Sequence, residues 1–555
     1  MTVPGYGGAV GPPESVVPAI TRPRAARWSG VCDHSSSPAP TSRRTVLGAG
    51  LAGASAVLVP PTGATAADGD TAAGLVYRGR FTGVGDPDWH YLPVEVPRGT
   101  TRIDVRYDYD RLETGAGVSL NIIDIGIFDA SGKDLGDAAG FRGWSGGARD
   151  SFSISRSRAT PGYLPGPITA GTWHVVLGPF TVVPPGVEWS VTVTLHRGSR
   201  GRRFRPRPAP RRVRGTGPGW YRGDLHTHTV HSDGRHTQRS LLALARDAGL
   251  DFLASTEHNT TSAHLTWGRH VPDDFLVIPG EEVTTRAGHC LTLGQPAGAW
   301  IDWRYRPEDD QLARFTDRVR SLGGLAVAAH PFAPTAGSTW QYGYDDVDAV
   351  ELWNGPWTLD DQTALARWHA LLVAGRFVPA VGSSDSHHDG QQVGRAQTVV
   401  HAEQLSVGAV VRGLRRGRAW LAESSQVELD FRASLAGRTA GCGESLGAAA
   451  TDLVDVRLEV GGVPGCLAQL WGPLGPLAGA ASDDEGRAEV SLQVPAGVAP
   501  FVRAEVRRTD GAPVLDPLAG VPAAPVVALT NPVFLAAAPT ATAAGQRKRN
   551  EDVTT

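Results

Sequence analysis

The stretch RGDLHTHTVHSDG, residues 222–234, decides how the rest of the chain is read. A short strand runs into an H-x-H pair, and side chains two apart on a strand share a face. His226 and His228 therefore point the same way. Two imidazoles so placed can ligate one divalent ion at about 2.0–2.2 Å each. Asp233 follows in the turn that ends at Gly234, and His231 lies on the connecting loop. One H-x-H is a weak signal by itself; its repetition along the chain is what carries weight.

Working outward, further apolar runs end in imidazole or carboxylate. DFLASTEHN (251–259) ends in Glu257-His258. FLVIPGEEVTTRAGHCLTLG (275–294) carries Glu281, Glu282 and His289. LAVAAHPF (325–332) ends in His330. DAVELWNG (348–355) offers Glu351 and Asn354 as supporting groups. FVPAVGSSDSHHDG (377–390) repeats the i, i+2 spacing with Asp385 and His387. Polar groups at the end of an apolar strand are costly to bury unless they serve something. Twelve of the 17 histidines lie between His226 and His388, against about five for an even spread.

The runs alternate with amphipathic segments RSLLALARDAG, DDQLARFTDRVRSLGG, DDQTALARWHALLVAG and SVGAVVRGLRRG. Strand–helix alternation over 218–425 predicts an α/β unit with buried parallel strands, a β/α barrel. In such a barrel the chemistry lies at the carboxyl ends of the strands, where these residues fall. Period-two patterns over 74–198 and 426–536 predict an all-β sandwich on each side. The first contains no cluster of ligand types and reads as a packing or carbohydrate-adhesion module. Between it and the barrel, 199–217 is an Arg/Pro-rich linker that cannot fold alone. It could also contact anionic polymers. The end, 537–555, reads as a disordered tail.

At the start, 1–67 reads as a leader: Arg43-Arg44, an apolar stretch from Val46 to Val59, then Ala64 and Ala66. The stretch is short of the ~20 residues of a membrane span and suits a cleaved signal peptide. The paired arginines resemble a twin-arginine signal, so the expectation is export by that machinery to the periplasm, cell wall or exterior. Cys442 and Cys466 could pair there. Cys290 reads as a small buried residue, and Cys32 precedes the signal. The net charge of −3 predicts no nucleic-acid partner.

The ordered set HTHTVHSDG, TEHN, GEE, GH, AHP and SSDSH resembles the PHP domain, the polymerase and histidinol phosphatase family. GEEVTT…GH, VELWNG and GSSDSH are most similar to its carbaryl-hydrolase (CehA/McbA-like) branch. The resemblance covers about 200 residues and implies a distorted (β/α)7 barrel with two or three metal ions, Mn, Zn or Fe. It implies that His226, His228, Glu282 and Asp385 hold one ion and that Glu282 bridges to a second, completed by His289 and His330. Asp233, His258 and His387 would hold a third. Glu257 departs from the family, which commonly has Asp there. The implied activity is hydrolysis by metal-activated hydroxide, with Glu282, Asp385 and His330 central to it. Arg235, Arg286 and Arg395 lie near the motifs and could clamp a phosphate. A phosphoester substrate is the first reading. A carbamate or carboxyl ester is the second, and a non-catalytic wall- or polymer-binding protein the third.

Overall fold

The computed structural model describes residues 74–114, 119–136, 139–509, 514–515 and 522–536. The leader with its twin-arginine signal, Cys32 and the 537–555 tail lie outside the described residues. No helix of the described residues is long and apolar enough to cross a membrane.

The N-terminal part folds as two four-stranded antiparallel sheets. One orders Leu75–Phe81, Val187–His196, Arg102–Tyr109 and Ser151–Ser155; the other orders His90–Val96, Gly171–Thr181, Ile122–Phe128 and Phe141–Gly146. Period-two alternation puts Ile103, Val105, Tyr107 and Tyr109 inward, against Ile123, Ile125, Trp173 and Val175. Ile122–Phe128 breaks that rule, being buried at every position. Its sheet is covered twice: Phe128, Phe141, Trp144 and Val176 join a second core with Val283, Ile301 and Trp303 from the part that follows.

That central part has nine strands: β1 (Gly219–Asp224), β2 (Phe252–Ser255), β3 (Leu276–Thr285), β4 (Gly288–Leu293), β5 (Leu325–Ala328), β6 (Ala349–Asn354), β7 (Ala380–Ser383), β8 (Gln397–Ala402) and β9 (Ala419–Ala422). They lie in the order β7-β6-β5-β4-β3-β2-β1-β8-β9. All four helix-like segments form: α1 (Gln238–Asp247), α2 (Leu312–Ser321), α3 (Leu359–Val373) and α4 (Val407–Arg415). Thr237 and Ser240 close a capping box at α1, and Ser406 caps α4.

The architecture is mixed α/β and strand-rich, with four α-helices among the described residues. No closed barrel forms among the described residues, and the strand pairing shows only part of the expected distorted (β/α)7 arrangement. Parallel pairing is confined to β1-β2-β3 and β5-β6-β7. β4 is antiparallel to both β3 and β5, and β8 and β9 are antiparallel additions at β1. The reason for β4 is local. Only Arg286 and Ala287 separate it from β3, and a parallel partner needs a crossover of a dozen residues or more. Gly288 allows the turn at φ 118, where a Cβ would lie 2.6 Å from the Trp340 Cα. Nor does a continuous ladder close the sheet. β1 and β7 meet just past their ends, where Asp385 N–H donates to the His226 carbonyl (2.9 Å) and His228 N–H to that of Ser386 (3.1 Å).

The C-terminal strands pack as two sheets, one of which continues the central sheet. β9 pairs with Val526–Thr530, and the same sheet runs on through Phe501–Arg508, Cys466–Gly472 and Gly475–Ala481. A four-stranded sheet of Arg438–Ala440, Glu428–Leu435, Leu453–Gly461 and Ala488–Pro495 packs across it. Cys442 and Cys466 do not form the expected disulfide; both are buried thiols in this core. The Arg/Pro-rich segment is docked rather than a free spacer. Arg207 N–H donates to the Leu265 carbonyl, Gly268 N–H to that of Arg207, and Val213 N–H to that of Leu405.

Asn531 ties these parts together. It is fully buried, accepts from Ala380 N–H (2.8 Å) and donates to the carbonyls of Ala380 and Ala419 (both 2.9 Å). Asn531→Ala strands those backbone groups in the core and should cost about 3 kcal/mol, read as a lower denaturant midpoint. An unchanged midpoint would contradict this role.

Candidate metal centre

The candidate ligands arrive at one rim from six strands. His226 and His228 lie just past β1, where the chain stays extended through a Thr227–Ser386 bridge and so preserves the i, i+2 geometry. His258 follows β2, Glu282 and His289 sit on β3 and β4, and His330 follows β5. Asp385 and His387 follow β7. Asn259, His330 and Asp385 adopt φ of 52°, 23° and 51°. Such left-handed backbone costs non-glycine residues energy and collects at functional sites.

The side chains converge on Glu282. Its Oε2 lies 3.2 Å from His226 Nε2 and 3.4 Å from His228 Nε2. Asp385 Oδ1 lies 3.3 and 3.0 Å from the same two nitrogens. Glu282 Oε1 lies 2.8 Å from His289 Nδ1 and 3.1 Å from His330 Nε2. Beside these, Asp233 Oδ1 lies 3.6 Å from His258 Nε2 and 3.4 Å from His387 Nε2. The donors fall into four groups whose ligand atoms all lie within 4.8 Å of one another: His226, His228 and Glu282; Glu282, His289 and His330; His226, His330 and Glu351; His228, Asp233, His258 and His387. Eight of the nine residues named from the sequence fall in these groups, and the ninth, Asp385, adjoins His226 and His228.

The donor set fits divalent ions. Nε2 of His226, His228, His258, His289 and His387, Oδ1 of Asp233 and Oε2 of Glu282 are buried and make no hydrogen bond. Leaving such groups unsatisfied costs about 1–3 kcal/mol each, so their convergence points to a cation among them. Burial, with His387 and His258 close by, drops His228 to about 3, and burial drops His289 to about 4. That favours the neutral form, which a metal takes, whereas, against burial, Asp385 and Glu282 push His226 well up and Glu282 and Asp233 push His258 up to about 9. Burial alone would raise Glu282, but His258, His226 and His289 pull its carboxyl well below the usual range. Mixed neutral nitrogen and anionic oxygen suits Zn, Mn or Fe.

A second ring of carboxylates sets the orientation. Glu351 Oε1 lies 3.2 Å from His226 Nδ1, and its Oε2 accepts from His330 N–H (2.8 Å) and Asn354 Nδ2 (3.1 Å). Glu257, the departure from the family pattern, is not in any donor group. Its longer arm braces the 229–232 loop, accepting from Thr229 N–H (3.1 Å) and Ser232 Oγ (2.6 Å). Glu281 points to the opposite face and accepts from Ile301 N–H (2.9 Å). His231 pairs with Ser262 Oγ (2.8 Å), outside the cluster. Cys290 is a buried thiol pushed up to about 12 by burial, as its reading as a small core residue requires.

The three arginines separate. Arg235 is exposed. Arg395 pairs with Glu423 at 2.8 Å. Arg286 lines a cavity with Asp233 and His258. Sequence reasoning missed the far wall of that cavity: Trp89, Asp124, Trp144 and Phe180 come from the N-terminal sandwich. The available signal was Asp124, a carboxylate inside the apolar run IIDIGIF; burial raises it to about 6.

No family model matches the chain. An uncharacterised protein of Methanocaldococcus jannaschii is 27% identical over 147 residues, 24% of this chain and 81% of that protein. Among solved structures, a two-domain protein of Bacteroides vulgatus containing a predicted PHP-like metal-dependent phosphoesterase is 16% identical, with TM-score 0.31. The alignment spans 59% of this chain and all of that one. An amidohydrolase of Chromobacterium violaceum with bound sulfate and no metal is 18% identical over 31% of this chain and 89% of that one, with TM-score 0.23. The donor geometry, rather than these likenesses, supports the functional reading below.

Glu351→Gln removes the anionic acceptor behind His226 while leaving every nitrogen in place. It should weaken metal affinity about 10–100-fold, measured by competition with a chelator. Wild-type affinity would show that Glu351 does not orient the site.

Proposed function

We propose that this protein is a metal-dependent phosphoesterase whose hydrolytic centre is organised by Glu282. The supporting observation is the division of buried donors about one carboxylate: His226 and His228 toward Oε2, His289 and His330 toward Oε1. That arrangement suits a carboxylate bridging two ions, and the group of His228, Asp233, His258 and His387 supports a third. His226, His228, Asp233, His258, Glu282, His289, His330, Asp385 and His387 are the proposed ligands, for Mn, Zn or Fe. When bound, the ions supply an acidified water as nucleophile and neutralise charge on the attacked phosphoryl group.

The protein's own groups do the rest. Glu282 would hold the two principal positions through its two oxygens, Oε2 beside His226 and His228 and Oε1 beside His289 and His330. Glu351 accepts from His226 Nδ1, which turns Nε2 toward the cluster. Glu257 fixes the loop that carries Asp233. The sandwich walls the cavity beside Asp233 and His258, and the burial of the cluster holds its groups in a setting where charge interactions are strong. The buried guanidinium of Arg286 in the adjoining cavity favours an anionic phosphoester over a neutral carbamate or carboxyl ester. Export through the twin-arginine machinery is part of the proposal and rests on the Arg43-Arg44 leader alone.

Purified full-length protein should carry two or three divalent ions and hydrolyse p-nitrophenyl phosphate or bis-p-nitrophenyl phosphate with added Mn. His226→Ala should lose metal and lower kcat/KM by about 10³-fold or more. Turnover of a naphthyl carbamate with none of the phosphate esters would overturn the substrate class. Undiminished turnover by the metal-free variant would overturn the mechanism.

A further inference from the structure

The cavity beside the Asp233–His258–His387 group has walls from two parts of the chain. Asp233, His258 and Arg286 form one side; Trp89, Asp124 and Phe180 of the N-terminal sandwich form the other. It encloses about 30 Å³, the scale of one or two waters, which suits an oxygen of a bound anion rather than a bulky group. Arg286 comes from the short β3–β4 turn, and its side chain is 8% exposed. The groups that grip it belong to the sandwich. Asp124 Oδ2 lies 3.4 Å from its Nη1, and the guanidinium sits 4.8 Å from the Trp89 ring centre and 4.7 Å from that of Phe180. The sandwich also makes room for it, since a Cβ on Gly178 would meet Arg286 Nη2 at 2.7 Å.

This grip is incomplete. Arg286 Nε and Nη2 are buried and make no hydrogen bond. A guanidinium presents five N–H donors in a fixed fork, and leaving the three on Nε and Nη2 dry is expensive. A pair that served only to glue two parts together has no reason to bear that cost beside Asp233 and His258. A phosphoryl oxygen would satisfy the fork, since planar N–H pairs match phosphate geometry.

We propose that the N-terminal sandwich is a working part of the hydrolytic unit: through Asp124, Trp89 and Phe180 it positions Arg286 to bind a non-bridging oxygen of a phosphoryl group held at the metal cluster. The inference rests on the phosphoester reading above. Arg286 contacts the substrate anion, and Asp124 is a positioning residue that acts through it. The sequence-based view of this sandwich as an accessory module is replaced by one in which the two parts share one site.

The probe is inorganic phosphate, titrated calorimetrically into metal-loaded, full-length protein, with metal content measured on each sample. Arg286→Met should weaken phosphate binding about 10–100-fold with metal content unchanged, and Arg286→Lys, which keeps the charge but not the fork, should weaken it less. Asp124→Asn should raise KM for bis-p-nitrophenyl phosphate more than it lowers kcat, with partial rescue by Asp124→Glu. Equal phosphate affinity in wild type and Arg286→Met would overturn the proposal. If Arg286→Met does not fold, Arg286→Lys decides by the same criterion. Phosphate binding that depends on Arg286 in a protein that hydrolyses no phosphate ester would remove the phosphoesterase reading and leave the anion subsite standing.

Discussion

Glu282 is a fully buried carboxylate on which five imidazoles converge, those of His226, His228, His258, His289 and His330. An isolated carboxylate in such a place would be prohibitively costly, and here Asp385 and Glu351 lie close to the same histidines. Of these rings burial holds His228 and His289 neutral, whereas the carboxylates push His226 well up and His258 up to about 9; such a cluster of carboxylates and imidazoles suits cations between them. The unsatisfied atoms on those rings show where the cations belong. Because the donors come from β1, β2, β3, β4, β5 and β7, the site exists only when the whole sheet is in register.

The same requirement explains how the sheet ends meet. Asp224 accepts from His226 N–H (3.2 Å), Ser384 N–H (3.0 Å) and Gly394 N–H (2.8 Å). It thereby fastens the end of β1 to the segment after β7, where no continuous ladder runs. The contact between β1 and β7 is made by buried side chains and by residues past the strand ends, among them Asp385 in left-handed backbone. Strain there is tolerable because the surrounding hydrogen bonds over-determine the conformation. The antiparallel β4 contributes as well: its hairpin with β3 places His289 against Glu282 on the neighbouring strand.

Much of this was legible in the sequence, for a definite reason. Apolar runs that end in His, Asp or Glu signal both a buried strand and the identity of its rim, so the pool of rim residues and the four helices could be named in advance, and the resemblance to the PHP domain narrowed that pool to nine candidate ligands. What pairs with what was less visible. Two residues between Thr285 and Gly288 force a hairpin, yet HCLTLG reads by periodicity like any parallel strand. The continuation of the sheet from β9 into Val526–Thr530 leaves no local trace, since antiparallel strands look alike whichever neighbour they choose. The cavity wall was hidden for a similar reason. Asp124 and Arg286 are far apart in sequence, and a lone carboxylate in IIDIGIF does not say which charge it meets. The departure at Glu257 was visible as a residue type, but its role as a brace of the 229–232 loop depends on a three-dimensional reach.

The account depends on divalent ions lying between the oxygens of Glu282 and its histidines. Anomalous scattering from crystals of the Mn-loaded protein tests this most directly. At least two peaks should straddle Glu282, about 3.5–4 Å apart, one beside His226 and His228 and the other beside His289 and His330. Bound Mn found only elsewhere on the surface, or no peak within reach of Glu282, would contradict it.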